Sequence, residues 1–211
     1  MTFRPCFFMS EGNIDPIVPK QRTGKAIDAT GSLTLKDESE AKAFFNVVKS
    51  RLQNVNEWAN LAGNLSAKFQ LADADGREVR RNLQQGDYFK IDIPGPGSKT
   101  GDGYDWVQIE DVENKSSSDE DTFSFRVRPN ENPRNQNQDI AHFYSPESTS
   151  TFTVSRKGFT VEAAIRDRNT KPNTTANSPV DKIRDSIVGT MGVLTFSKIQ
   201  WQNLVDGLLS M

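Results

Sequence analysis

The spacing of apolar residues changes period along the chain, and those changes mark out its elements. Ala41, Phe44, Phe45, Val48, Leu52, Val55 and Ala59 recur at steps of three and four, which gathers them on one face of a helix. Asp37 followed by Glu40 has the spacing of a capping box, in which side chains satisfy free N–H groups of the first turn. A helix is therefore predicted over 37–60, stopped by Gly63. From 64 the period is two. Leu65, Ala67, Phe69 and Leu71 face one way and Ser66, Lys68 and Gln70 the other, which predicts a half-buried strand. Asp75-Gly76 is a turn signal able to take positive φ, and a less apolar edge strand is predicted over 78–83.

The segment 86–114 reads as two strands around a Gly/Pro-rich loop and as the centre of the fold. Phe89, Ile91 and Ile93 alternate with Tyr88, Lys90 and Asp92; Val107 and Ile109 alternate with Trp106, Gln108 and Glu110. Tyr104, Trp106 and Val112 claim the face opposite Val107 and Ile109. A strand apolar on both faces is covered on both, so a helix, an N-terminal arm or a partner is expected over Trp106. A polar turn over 114–121 leads to a strand over 122–128, with Phe123, Phe125 and Val127 inward. A polar loop fills 129–141. Strands over 151–156 and 159–167 pair across Lys157-Gly158, and a second polar loop covers 168–177. Ser178-Pro179 then opens a final helix carrying Ile183, Ile187, Met191, Leu194, Trp201, Leu204, Val205, Leu208 and Leu209; Gly189 and Gly192 mid-pattern are accommodated either by close packing on the sheet or by a break near 195–197, with Ser197 capping a second helix.

A helix, six or seven mainly antiparallel strands and a closing helix make an α+β protein rather than a parallel βαβ sheet. One domain is expected over 32–211. Residues 1–31, broken by Pro5, Pro16 and Pro19, are expected to form an extended arm, with a short strand over 31–35. A strongly curved antiparallel sheet or partly closed barrel, flanked by the two helices, resembles in element order the helix-grip arrangement of START and Bet v 1-like ligand carriers. The resemblance implies a cavity between sheet and C-terminal helix. The alternative is a small closed barrel of the 86–128 strands with both helices outside it.

Charge and candidate chemistry narrow the function. With 26 basic and 28 acidic side chains the net charge is −2, so no global field draws nucleic acid or anionic lipid. Cys6 alone excludes an intramolecular disulfide and a thiolate metal site, and favours a reducing compartment. No secretory pattern or membrane-span-length apolar run is present; a soluble, cytoplasmic protein is expected. His142 is the single histidine, so any Ser-His-Asp or Cys-His catalysis would run through it; beside Phe143 and Tyr144 it reads better as a structural hydrogen-bonder. Asp92, Asp102 and Asp105 lack EF-hand spacing, and Gly95, Gly97, Gly101 and Gly103 precede a strand rather than the helix of a phosphate loop. No metal or cofactor is expected.

Two binding readings remain. Tyr88, Tyr104, Asp105 and Trp106 beside Arg126 and Arg128, with His142 and a second cationic group of Arg166, Arg168 and Lys171, are candidate partner-binding residues, because aromatics among arginines grip acidic or planar partners. The competing structural reading packs Trp106 and pairs the arginines with Glu110, Asp111 or Glu113. The favoured function is a non-enzymatic binding or assembly module whose 94–105 and 129–141 loops and arm contact a protein. The alternative is a carrier holding a small apolar ligand, with Phe69, Phe89, Phe125, Phe152 and Phe159 lining or filling the pocket.

Overall fold

The computed structural model describes residues 16–63, 67–93, 98–136, 138–173 and 192–211. Strands β1 (Lys25–Thr34), β2 (Lys68–Ala72), β3 (Tyr88–Asp92), β4 (Asp105–Ser116), β5 (Glu120–Pro129), β6 (Thr149–Lys157) and β7 (Thr160–Thr170) form one antiparallel sheet in the order β1-β7-β6-β5-β4-β3-β2. Helices α1 (Glu38–Gln53) and α2 (Trp58–Ala62) lie between β1 and β2, and α3 (Gly192–Leu208) closes the chain. Packed on β1, β7 and α2, α3 sits on the face that carries the main core. This is the helix-grip order of elements. Among the described residues β1 and β2 are unpaired at their outer edges, so the sheet is open and the closed-barrel alternative is set aside.

The stripe Ala41, Phe45, Val48 and Leu52 is buried, and the Glu40 amide donates to Asp37 Oδ1 at 2.9 Å. The helix predicted over 37–60 is broken, however. At Asn54 the backbone leaves the helical region, and a 3₁₀ turn, Val55–Glu57, leads into α2. Tertiary bonding fixes the break. Asn56 accepts from the Leu71 amide at 2.7 Å and donates to the Val79 carbonyl at 2.9 Å, while the Trp58 indole donates to the Leu52 carbonyl at 3.1 Å. Trp58 then meets Phe69, Phe89, Phe125 and Phe152 at ring separations of 5.1–6.3 Å.

Other boundaries move for local reasons. The strand β1 starts at Lys25, inside the stretch expected to be an arm, because its inward positions Ile27 and Ala29 continue the alternation with a small residue. The segment 78–83 is not a strand; a single bridge, Ala72↔Glu78, joins it to β2 after the turn at Gly76 (φ 74°). At the β6–β7 hairpin Lys157 pairs with Thr160, so the two loop residues are Gly158 and Phe159 rather than Lys157 and Gly158. The second polar loop starts later than predicted, since Arg168 to Thr170 belong to β7. Gly192 opens α3 instead of interrupting it, and α3 runs unbroken through 195–197, so Ser197 caps no second helix. Ser178, Pro179, Ile183, Ile187, Gly189 and Met191 lie outside the described residues, as do Asn64 to Ser66, Pro94 to Gly97 and the chain before Pro16.

The conflict over the two faces of β4 is resolved by a register shift between Ile109 and Asp111. A bulge of this kind puts one extra residue on one strand and reverses the alternation beyond it. Val107 and Ile109 before it, and Val112 after it, all join the main core. Trp106 is left on the opposite face.

Candidate functional site

On the face away from α3, Trp106 is 1% exposed and packs with Tyr88, Ala72 and Ala141, with Tyr104 at the margin. Among the described residues neither a helix nor the 16–31 part of the arm packs on it. Loops of the chain do: its amide donates to the Ala141 carbonyl at 2.8 Å, its carbonyl accepts from the Asn130 amide at 3.0 Å, and its indole donates to the Gly101 carbonyl at 3.1 Å. Gly101 allows that approach, since a Cβ there would stand 1.8 Å from the Tyr104 carbonyl oxygen. The 98–105 and 129–141 loops are also tied together by Asn132, whose amide donates to Asp102 Oδ2 at 2.7 Å. Asp105 is buried, burial raises the Tyr88 pKa, and the Lys90 ammonium lies 3.9 Å from the centre of the Tyr104 ring.

The four arginines also lie on this face. Glu110, at the bulge, accepts from Arg126 Nε at 2.9 Å and from Arg128 Nε. Burial would raise the Glu110 pKa, but the two guanidiniums hold it below the usual carboxylate range. Arg126 also donates to the Ile17 carbonyl and Arg128 to the Pro146 carbonyl, both at 2.8 Å. Arg166 faces Glu162 at 3.4 Å and Arg168 donates to Asp28 at 2.7 Å.

On the other face, between the sheet and α3, lies a partly open cavity of about 50 Å³, room for a few water-sized groups. Its apolar wall includes Phe69, Phe89, Ile91, Val107, Phe152 and Trp201. Trp201 leans on Phe69 and Phe152 at ring separations of 5.9 and 5.4 Å. The lining also holds polar groups: Asp167 from β7, Ser150 from β6, His142 and Tyr144 from the segment between β5 and β6, and Ser197 and Gln200 from α3. Asp167 is inward because it continues the buried series Val161, Ala163, Ile165.

The polar groups are unequally satisfied. Gln200 accepts from the Ala67 amide at 2.9 Å; His142 Nδ1 accepts from the Tyr144 amide at 2.9 Å; the Tyr144 and Ser197 hydroxyls are 3.4 Å apart. Burial raises the Tyr144 pKa well above that of a free phenol. Asp167 is 1% exposed, and its Oδ2 accepts from the Trp201 indole at 2.9 Å, but its Oδ1 has no hydrogen-bond partner of good geometry. Burial pushes this carboxyl up to about 6, even though Ser150 and Trp201 stabilise its charged form. The arrangement is an apolar hollow with one half-paired carboxylate in its wall. Among the described residues no three His, Cys, Asp or Glu side chains converge as a metal site would require, and no helix is long and apolar enough to cross a membrane.

No protein-family model matches the sequence, and no curated protein matches it. Solved structures resemble the chain weakly. A hypothetical protein of Helicobacter pylori is 11% identical, with 87% of each chain covered and a TM-score of 0.47. A truncated norcoclaurine synthase from Thalictrum flavum is 9% identical over 89% of this chain and 99% of its own, at a TM-score of 0.33. A START superfamily protein from Mycobacterium smegmatis is 8% identical over 84% of this chain and 98% of its own, also at 0.33. The strand order and the place of α3 carry the fold without help from these similarities.

Of the residues singled out from sequence, the cavity gathers His142 alone; Asp105 pairs with Ile91 on the same side of the sheet but is not part of the lining, and Tyr88, Tyr104, Trp106, Arg126, Arg128, Arg166 and Arg168 belong to the opposite face or its covering loops. Among the five phenylalanines proposed as pocket lining, Phe69, Phe89 and Phe152 line the cavity and Phe125 is buried in the core behind it. Phe159 is 51% exposed at the hairpin tip. Sequence reasoning missed Asp167, Tyr144, Ser197, Gln200 and Trp201 as lining residues. Asp167 had a signal: a carboxylate at the inward position of an alternating strand.

Proposed function

We propose that the protein binds a small, mainly apolar molecule in the cavity between the sheet and α3. The observation that carries this reading is the half-paired Asp167 in an otherwise apolar wall. Interiors are normally filled, and a buried polar atom normally has a partner. A hollow beside an orphaned carboxylate oxygen departs from both, and one bound molecule would answer both departures. At its present volume the cavity takes a short ligand, or the end of a longer one.

The protein-partner reading draws on the loops around Trp106, but these loops hold one another through backbone and amide bonds, and each of the four arginines already has a carboxylate within 3.4 Å. The cavity is the better-supported site. The test is thermal unfolding against a panel of small apolar molecules, compared with an Ala67→Leu variant that fills the hollow. A ligand that binds only the native state raises the midpoint by mass action. Concentration-dependent rises in the parent, lost in a folded Ala67→Leu protein, are expected. A panel without effect, or rises unchanged in the variant, would remove the cavity as the site.

A further inference from the structure

We infer that the cavity selects a small organic amine, held as its ammonium ion against Asp167. The inference rests on the cavity being the ligand site and names the chemistry it prefers. Asp167 Oδ1 is buried, lines the cavity and lacks a partner of good geometry, while Oδ2 is occupied by the Trp201 indole. No Lys or Arg stands among the described residues of the lining. The nearest guanidinium in sequence, Arg168, spends its Nη1 on Asp28 Oδ1 and on the Asp167 backbone carbonyl, outside the cavity. His142 supplies no countercharge either, because its Nδ1 accepts the Tyr144 amide and an imidazolium has no acceptor nitrogen. Ser150, opposite Asp167 in the β6–β7 ladder, offers a neutral hydroxyl.

A buried carboxylate without a cation is costly, and an ion placed beside it with hydrogen bonds offsets that cost. An ammonium brings three donors. One can take Asp167 Oδ1, and the Tyr144 and Ser197 hydroxyl oxygens, 3.4 Å apart in the same lining, are acceptors for others. The aromatic wall of Phe69, Phe152 and Trp201 suits a cation as well as its hydrocarbon tail, since ring faces attract positive charge. An alcohol of the same length would fill the volume but leave the carboxylate charge unbalanced. A carboxylic acid would add a second anion and be rejected.

The experiment is NMR titration of the full chain at pH 8 with n-butylamine, 1-butanol, sodium butyrate and toluene, read at the Trp201 indole N–H, which reports directly on its bond to Asp167. Butylamine is expected to bind at least about tenfold more tightly than butanol, in line with a charge-assisted bond being worth more than a neutral one, with butyrate weakest. Asp167→Asn should bring butylamine down to the level of butanol. Equal or tighter binding of butanol by the parent protein, a comparison that needs no variant, would overturn the inference and leave the cavity reading intact. So would an amine preference that survives in Asp167→Asn. If none of the four probes binds, the cavity reading and this inference fall together.

Discussion

Among the described carboxylates buried on the α3-facing side of the sheet, two lie near opposite ends of β6 in contrasting surroundings. Asp121 stands across the ladder from Arg156, and Asp167 stands across from Ser150. At the first site burial would raise the carboxyl pKa, but the Ser116 hydroxyl and the Arg156 guanidinium more than reverse this and hold it low. Arg156 is itself fully buried; it donates to Asp121 Oδ2 at 2.6 Å, to the Ser118 and Gly158 carbonyls at 3.2 Å and to Glu38 at 3.4 Å. At the second site burial wins, and one oxygen is left over. A pair closed on itself fixes the β5–β6 end and the seat of α1. A carboxylate left half open marks the place where something else is to bind.

The largest expected effect tests the closed end. Arg156→Met keeps the bulk but leaves Asp121 buried without its cation, a change that typically costs about 3–5 kcal/mol. Urea unfolding at pH 7 measures it. A cost under 1 kcal/mol would show the pair to be solvated and would erase the contrast with Asp167. In the parent, a folded-state pKa below the ordinary value means that the stability supplied by Asp121 is present above the usual carboxylate range. It is lost only as pH falls through the lowered value.

The open end should behave with the opposite sign. The Asp167 pKa rises from 3.8 to about 6 in the folded protein, so between these values the native state holds a proton that the unfolded chain has lost. Stability therefore falls as pH rises through this window, by an amount on the order of 3 kcal/mol, and stays lower above it. Other charged or titratable groups near Asp167 are Asp28 and Arg168 on the sheet and His142 and Tyr144 at the cavity, so the assignment needs the variant. Asp167→Asn should flatten this part of the profile and be more stable than the parent above pH 6, by up to about 3 kcal/mol. Parallel profiles for parent and variant would show that Asp167 is not the group responsible.

Both carboxylates sit at positions that the alternation marks. Asp121 precedes Phe123 and Phe125 by the strand period, Arg156 follows Phe152 and Val154, and Asp167 follows Val161, Ala163 and Ile165. Local rules capture what neighbouring residues decide, so α1, its Asp37 cap and the inward phenylalanines of β3, β5 and β6 are legible. Partners distant in sequence decide the rest. The bulge beside Glu110 depends on the register with β5, the end of α1 on what Asn56 finds near β2, and the cover over Trp106 on loops that arrive after residue 98 and residue 129. Pairing of Asp121 and neglect of Asp167 are likewise properties of the opposing strand, which supplies an arginine to one and a serine to the other.

Trp106 lies outside this contrast and supplies a reference for burial that involves no charge. Trp106→Ala should cost about 3–5 kcal/mol in urea unfolding, as for other buried large aromatics, with no change in pH dependence between pH 4 and 7. A near-neutral result would mean that the loops around it hold without the indole.

The smallest effect separates the two ends most directly. Each carboxylate has a serine helper, Ser116 for Asp121 and Ser150 for Asp167. Replacing either by alanine removes a hydroxyl that favours the charged form; Ser116 donates to Asp121 and its loss is that of a single hydrogen bond, about 0.5–1.5 kcal/mol, while Ser150 makes no bond of good geometry to Asp167 and its loss is smaller. At pH 8 both acids are ionised and both variants should show a cost, the larger one for Ser116→Ala. At pH 5 they should part. Asp121, with its pKa held low, is still charged and still needs its hydroxyl, so Ser116→Ala keeps its full cost. Asp167, with a pKa of about 6, is by then mostly protonated and draws little from Ser150, so the Ser150→Ala cost should shrink toward zero. Equal costs at both pH values would mean that Ser150 acts through packing alone.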